Sequence, residues 1–377
     1  MMVKESTSVG IKEIARALGI SIGTVDRALH ARPGVSPKTS SKVLKMAEKL
    51  NYKPNIAARN LKLNRRLRIA VHLPEQIKSF FDPLRAGIRA AATAVPGAII
   101  ELEFHSYPRA GQGDIELLEA HSEEKYDGLI LLASNAARIN PVLKRIAENG
   151  TAIICVASDA PRVHKLTSIC ADASVSGSIA ADLLSRSLQK EGNVVAMMGD
   201  LNLIDHAEKL RGFAAGLATY APHLRLQPVI ESHEMPEDAY QTTLDLLDTQ
   251  PLPAGIYIGT ANSMPVLQAL EERGVLHEIR VVTTDLFPEL VAMVESNKVL
   301  ATLFQRPYTQ GTLAIETLVR FLLDGVQPQS HTRLAPYIVL RSNLSLYLNQ
   351  IADSIESEDL DSPGTGKGKT AIYAAQR

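Results

Sequence analysis

From Leu67 onward the chain alternates short apolar runs with amphipathic ones, and no other feature limits its fold so strongly. Strand-like runs are Leu67 to Leu73, Ile99 to His105, Gly128 to Ala133, Ala152 to Ala157, Asn193 to Met198, Ala254 to Ile258, Ile279 to Thr283 and Leu300 to Gln305. Helical spacing fills nearly all the intervals, as at Pro83 to Ala94, Pro141 to Asn149, Ser176 to Gln189 and Met264 to Arg273. Apolar strands alternating with helices imply parallel sheets covered on both faces. The alternation continues for roughly 280 residues, which is too long for one ordinary core. We therefore expect two doubly wound lobes, the first of about 67–169 and 304–328 and the second of about 170–303 and 329–347.

In such sheets ligands bind beyond the carboxyl ends of the strands. The residues at those ends are Phe80 and Phe81, Ser134 and Asn135, Ser158 and Asp159, Asp205 and His206, Asn262, Asp285 and Gln305. Carboxylates and amides bond neighbouring hydroxyls, and an aromatic ring covers the apolar face of a sugar, so the set suits a small polyol. Taken singly, Ser, Asp or Asn at a strand-to-helix turn is more often a helix cap, above all Ser134 and Asp205.

The N-terminal 66 residues have another character. They carry 14 Lys and Arg against 4 Asp and Glu, a balance of +10, whereas the rest carries 26 against 37, a balance of -11. A basic head on an acidic body suggests a nucleic-acid partner, although a membrane surface or an acidic protein would also suit it. Ile11 to His30 places Ala15, Gly19 and Val25 where two short crossing helices need a small contact residue, a turn glycine and an apolar anchor, with Ser21 as cap of the second helix. A third helix is predicted over Pro37 to Leu50, capped by Ser36, with Val43, Leu44, Ala47 and Leu50 facing the head core and Lys38, Lys42, Lys45 and Lys49 mostly on the other side. Leu50 to Asn55 then leads into a helix of barely two turns, Ile56 to Leu61, and a basic linker, Lys62 to Arg68. A helix that short is marginal alone and should fold only against DNA or a partner copy.

This order of elements, with the segment Leu50-Asn51-Tyr52-Lys53-Pro54-Asn55, resembles the head of the lactose-repressor (LacI/GalR) family of bacterial transcription regulators, from Val9 to about Leu61. The resemblance implies a helix-turn-helix domain over 1–52, a hinge helix and linker over 53–66, and a recognition helix from Ser21 to Leu29. It places Ile22 and Gly23 at the main base-reading positions, with Ser21, Thr24 and Arg27 beside them and Asn55, Ala58, Arg59 and Leu61 as hinge contacts. Leu61 would wedge into the minor groove and kink the duplex. Three residues depart from the pattern: Gly10 stands where a capping threonine is usual, Asp26 replaces a serine, and Gly23 offers a base no side chain. The operator sequence therefore does not carry over.

The body carries the second half of the resemblance. The segments Phe80 to Gly87, Lys209 to Phe213, Val281 to Asp285 and Ala301 to Pro307 are similar to the periplasmic sugar-binding-protein fold and to the effector domain of the same repressor family. That similarity implies a type I two-lobed body in which Phe80 and Phe81 cover the ligand, Asp159 and Asp285 accept from hydroxyls, Asn262 lies close to a family asparagine, and Gln305 closes the site. Lys209 occupies or adjoins the place of a ring-clamping arginine, so Lys209 or His206 is expected to take that role. The implied protein is a cytoplasmic, homodimeric regulator, a repressor whose operator affinity is set by a sugar or polyol, with no membrane partner.

Competing classes explain less. No apolar run reaches the roughly 18 residues of a membrane span, and the first 20 residues lack a signal-peptide apolar region, which counts against a secreted sugar-binding protein. A dinucleotide or nucleotide enzyme needs a glycine-rich turn after the first strand, where this chain has Leu73-Pro74-Glu75-Gln76. Gly364 to Thr370 has phosphate-loop letters, but no strand precedes it and Pro363 stands at its first glycine; residues 348–377 are expected to be a disordered tail. Neither His105, His121, His164, His206, His223 and His233 nor Cys155 and Cys170 have metal-ligand spacing, so no metal, cofactor or catalytic group is expected.

Overall fold

A computed structural model of the chain describes residues 10–29, 33–50, 52 and 65–348. The chain divides after Arg66 into a head and a body, each with its own core.

The head consists of α1 (Ile11–Leu18), α2 (Ile22–Leu29) and α3 (Pro37–Lys49). Gly10 cannot cap α1 with a side chain, but Glu13 Oε2 accepts the Gly10 N–H at 2.9 Å and makes up part of the loss. Gly19 ends α1 in the left-handed conformation (φ 61°), which a glycine adopts without a Cβ penalty. Ser21 Oγ accepts from the Thr24 N–H at 3.1 Å and Ser36 Oγ from the Thr39 N–H at 3.2 Å, so both later helices are capped as expected. Ile14, Ala15, Val25, Ala28, Val43 and Ala47 form the core. Leu44 departs from expectation and is 52 % exposed. The buried stripe follows Val43, Ala47 and Leu50, and the next residue along a helix lies about 100° away from it.

The body begins with β1 (Arg65–Pro74), α4 (Lys78–Thr93), β2 (Ala98–Tyr107), α5 (Asp114–Ala120), β3 (Gly128–Leu131), α6 (Ala136–Glu148), β4 (Ala152–Val156) and β5 (Thr167–Ala171). It continues through α7 (Ala173–Ser187), β6 (Gly192–Met198), α8 (Ile204–Tyr220), β7 (Leu224–Leu226), β8 (Ile230–Glu231), α9 (Pro236–Thr249), β9 (Gly255–Ile258), α10 (Met264–Glu272), β10 (Arg280–Thr284), α11 (Pro288–Glu295) and β11 (Ala301–Phe304). It closes with α12 (Pro307–Asp324), β12 (His331–Leu334), β13 (Tyr337–Val339) and a 3-10 turn, Leu344–Leu346. Pro83 and Pro141, expected as helix starts, lie inside α4 and α6. Asn135 starts α6 five residues before its prediction by accepting from Ala137 and Arg138 N–H at 3.1 and 3.2 Å. Each proline then forgoes only its own N–H bond near the helix start.

Two sheets result, in the orders β12-β5-β4-β3-β1-β2 and β13-β11-β10-β9-β6-β7, with β8 beside β6. Each is covered on both faces because its strands bury alternate residues in opposite directions. In β1, Leu67, Ile69, Val71 and Leu73 join the core under α4 and α12, whereas Ala70 joins the one under α6. In β6, Val195 and Met197 face α9 to α11, whereas Val194, Ala196 and Met198 face α7 and α8.

The chain passes between the sheets three times: after β5, after β11 and between β12 and β13. By sheet membership lobe 1 is 65–171 with 305–334 and lobe 2 is 172–304 with 337–348. The expected last return near residue 328 is corrected. β12 pairs parallel with β5, His331 opposite Ser168 and Leu334 opposite Ala171, and thus belongs to lobe 1. As an edge strand buried only in part, it lacks the apolar run that marks inner strands. β5, not expected from its polar start at Thr167 and Ser168, moves the first crossing to just past Ala171.

Each lobe also contains a close helix pair, α4 with α12 and α7 with α8. A Cβ added to Gly87 would meet the Tyr308 carbonyl and one at Gly311 the Leu84 carbonyl. In lobe 2 a Cβ at Gly177 would meet the Lys209 carbonyl and one at Gly212 the Ser174 carbonyl. Backbone packs directly on backbone in both pairs.

Candidate functional site

The strand ends of the two lobes face one cavity of about 60 Å³. Phe80, Phe81, His206, Lys209, Asp285 and Gln305 line it, together with Gln76, Ser158, Asp205, Glu234 and Thr260. The two phenylalanine rings meet edge to face, 5.0 Å between centroids, and form an apolar wall.

Two expected residues are elsewhere. Asp159 is absent from the lining because its carboxylate is occupied within lobe 1: Oδ1 accepts from Ser168 Oγ at 2.5 Å and from Ala160 N–H at 2.7 Å, and Lys165 and His331 lie 3.4 and 3.1 Å away. Its neighbour Ser158 faces the cavity, and Ser158 Oγ accepts the Asp205 N–H from the other lobe at 3.3 Å. Asn262 is displaced by two residues. Its backbone N–H donates to Thr260 Oγ1 at 3.1 Å, and Thr260 and Ala261 form the wall in its place. Of the residues weighed as caps, Asn135 is one, Ser134 instead donates to Asp114, and Asp205 pairs with Lys209.

The polar side of the cavity is a connected set. Lys209, 1 % exposed, holds Asp205 Oδ2 at 2.5 Å. Burial opposes the Lys209 charge, but Asp205, then Tyr257 and Asp285, outweigh it and raise the pKa above the ordinary lysine value. His206 Nδ1 accepts the Asp200 N–H at 2.9 Å, and Nε2 lies 3.2 Å from Glu234 Oε1. Thr260 Oγ1 donates to Glu234 Oε2 at 2.8 Å. Asp285 accepts from the Gln305 backbone N–H at 3.0 Å and from Gln305 Nε2 at 2.6 Å, which ties the end of β10 to the crossing after β11.

Backbone strain gathers here. Ile77 (φ 56°), Ala157 (φ 66°), Glu234 (φ 58°) and Asp285 (φ 67°) all line the cavity in the left-handed conformation that non-glycine residues rarely adopt. His233 (φ 49°) adjoins Glu234, and these two residues also join the lobes: Arg109 Nη1 donates to the His233 carbonyl at 3.1 Å, and Gln76 Nε2 donates to the Glu234 carbonyl. Gln76, Glu234 and Thr260 were not anticipated, because no motif marks them and their contacts join distant parts of the chain.

Burial pushes the Asp285 carboxyl up to about 6, against the opposing effects of Lys209 and the Gln305 bonds. A carboxyl with a folded pKa above its unfolded value binds more protons when folded, so its contribution to stability is largest below about pH 4 and falls as pH rises through about 6. The stability of the wild type relative to Asp285→Asn is therefore expected to drop by roughly 3 kcal/mol between about pH 4 and about pH 7. Denaturant titrations at both pH values measure this, and a constant difference contradicts it.

In the head, Ser21 is exposed just before α2, Ile22, Gly23 and Arg27 are exposed on it and Thr24 is half-buried at its first turn, while Val25 and Ala28 point into the core. Ile22 is 50 % exposed, an apolar side chain with no place in the head core. Asn55, Ala58, Arg59 and Leu61 lie outside the described residues. Among the described residues no helix is long and apolar enough to cross a membrane.

A two-lobed α/β body enclosing a cavity, on one chain with a helix-turn-helix head, defines a DNA-binding regulator with a ligand-binding effector domain. Residues 69–325 match the periplasmic binding protein domain, and the chain belongs to that family; residues 10–55 match the bacterial regulatory proteins of the lacI family. It is 24 % identical over 340 residues to catabolite control protein A of Priestia megaterium, covering 89 % of this chain and 99 % of that protein. It is 22 % identical over 345 residues to the HTH-type transcriptional repressor PurR of Haemophilus influenzae (strain PittEE), covering 90 % and 99 %. Among solved structures, a transporter solute-binding protein from Burkholderia graminis in complex with D-arabinose superposes with a TM-score of 0.69 at 20 % identity, over 75 % of this chain and 98 % of that one.

Proposed function

We propose that the protein is a cytoplasmic homodimeric repressor that places two heads on a pseudo-palindromic operator and responds to a sugar or polyol bound between its lobes. The observation that carries this reading is the cavity itself: an aromatic wall, Phe80 and Phe81, faces a hydrogen-bonding side built from Lys209, Asp285 and Gln305. That combination suits a ring with one apolar face and several hydroxyls. The sugar-binding fold neighbour agrees with it, since D-arabinose is bound in that protein. Ligand alters operator affinity only by binding two lobe arrangements unequally. DNA contacts are assigned to Ser21, Ile22, Gly23, Thr24 and Arg27, and ligand contacts to Phe80, Phe81, His206, Lys209, Asp285 and Gln305.

Separate variants test the two ends. DNA selected from a random library by the full chain serves as operator in fluorescence anisotropy. Arg27→Ala is expected to weaken operator binding at least about tenfold while retaining the ligand-induced rise in melting temperature. Asp285→Ala is expected to bind the operator and lose that rise. Wild-type operator affinity in Arg27→Ala would displace α2 as the reading helix, and unchanged ligand affinity in Asp285→Ala would displace the cavity.

A further inference from the structure

The ionisable groups of the cavity are unequal in sign. Three carboxylates line it, Asp205, Glu234 and Asp285, against one lysine and one histidine. Lys209 is already bonded to Asp205 at 2.5 Å. His206 is engaged at both ring nitrogens: Nδ1 lies 2.9 Å from the Asp200 N and 3.1 Å from the Asp200 carbonyl, and Nε2 lies 3.2 Å from Glu234 Oε1. No cation of the lining is left over for an anionic ligand, and the sum of the charges is negative.

Glu234 has a special position within this set. It is 5 % exposed, and it lines both this cavity and a second, more polar compartment of about 300 Å³. Ala110 and Leu203 share that boundary position, but neither is charged. The second compartment contains Arg109, Arg138 and Asp200, so its two guanidinium groups lie in the compartment across Glu234 and do not line the cavity itself. Thr260 and His206 fix the Glu234 carboxylate from within, and Gln76 and Arg109 fix the backbone of the His233–Glu234 turn from the opposite lobe. Both carboxylate oxygens thus have a partner, Oε2 at Thr260 and Oε1 at His206.

We infer that the cavity admits uncharged polyhydroxylated ligands and rejects their phosphorylated or acidic forms, and that Glu234 is the residue that discriminates. The inference rests on the reading of the cavity as a sugar or polyol site and narrows it to a charge class. A neutral hydroxyl donates to Glu234 or Asp285 without opposing either charge. A phosphate monoester a few ångströms from a fixed, desolvated carboxylate meets repulsion on the order of a hundredfold in affinity.

The test uses the full chain, with melting shifts and calorimetry on a panel of pentoses, hexoses, their reduced polyols and inositols, each paired with its phosphate monoester or sugar acid. At least one uncharged member is expected to bind, with its anionic partner about a hundredfold weaker. In Glu234→Gln that ratio is expected to shrink at least about tenfold, and in Glu234→Asp, which keeps the charge, to persist. An anionic partner that binds as tightly as its neutral form overturns the inference and leaves the sugar-site reading standing. A panel in which neither form of any member binds overturns the sugar-site reading itself. An unchanged ratio in a cooperatively melting Glu234→Gln removes Glu234 as the discriminating residue. Should that variant fail to melt cooperatively, the wild-type ratio and Glu234→Asp decide.

Discussion

Replacing Lys209 by methionine is expected to lower the unfolding free energy of the body by about 3 to 5 kcal/mol, because it leaves a buried carboxylate without its cation. Lys209 and Asp205 are 1 % and 8 % exposed, and Asp285, also close enough to act on Lys209, is 2 % exposed. Water cannot replace the lost ammonium at such depth, and Asp205 would have to remain charged at a high cost or take up a proton. Removing both partners should be far milder. Lys209→Met combined with Asp205→Leu is expected to regain more than half of the loss, since an apolar pair of similar volume requires no desolvation. Denaturant melts of the two variants measure this, and a double variant no more stable than the single one contradicts it.

Alanine at Gly177 is expected to cost about 3 kcal/mol or more, at the upper end of what overpacking usually costs. The new methyl would fall on the Lys209 carbonyl and close to the Phe213 amide, both backbone atoms of α8 that no side-chain rotation can move. Gly87, Gly212 and Gly311 are placed alike. Gly150 provides the contrast: its φ is +93° with nothing near its absent Cβ, so alanine there costs only backbone strain, about 1 to 2 kcal/mol. Thermal melts of Gly177→Ala and Gly150→Ala check the order, and equal losses would mean that helix spacing in lobe 2 adjusts freely.

The lobes were legible in the sequence wherever a strand buries both faces with apolar side chains; β5 is buried throughout but opens on Thr167 and Ser168 and forms no such run. β1, β3, β4, β6, β9, β10 and β11 all stand out as apolar runs. The short edge strands gave no such signal: β7, β8, β12 and β13 are two to four residues long and mostly half-buried, whereas the ten-residue edge strand β2 was legible. Without an apolar run to mark β12, the last crossing is expected near residue 328, whereas pairing with β5 keeps the chain in lobe 1 through Leu334. Residues following a strand were the right place to look for the cavity, but local order along the chain could not tell Ser158 from Asp159, or Thr260 from Asn262. One of each pair lines the cavity, and for Asp159 the bonds of its carboxylate to Ser168 and Ala160 hold it away. Glu234 was out of reach for a different reason: its carbonyl meets Gln76, 158 positions earlier in the chain, and only the assembled lobes bring the two together.

The contacts that join the lobes at the rim have unequal genetic accessibility. Their acceptors are main-chain carbonyls, those of His233 and Glu234, which every substitution leaves in place. Their donors are side chains, Arg109 and Gln76, open to change one codon at a time. Changes at these two donors would adjust how readily the body closes while leaving the Phe80, Lys209 and Asp285 part of the cavity untouched. Gln76 also lines the cavity and Arg109 does not, so Arg109 is the donor through which the set point of a regulator built this way can drift under selection while the ligand it recognises stays the same.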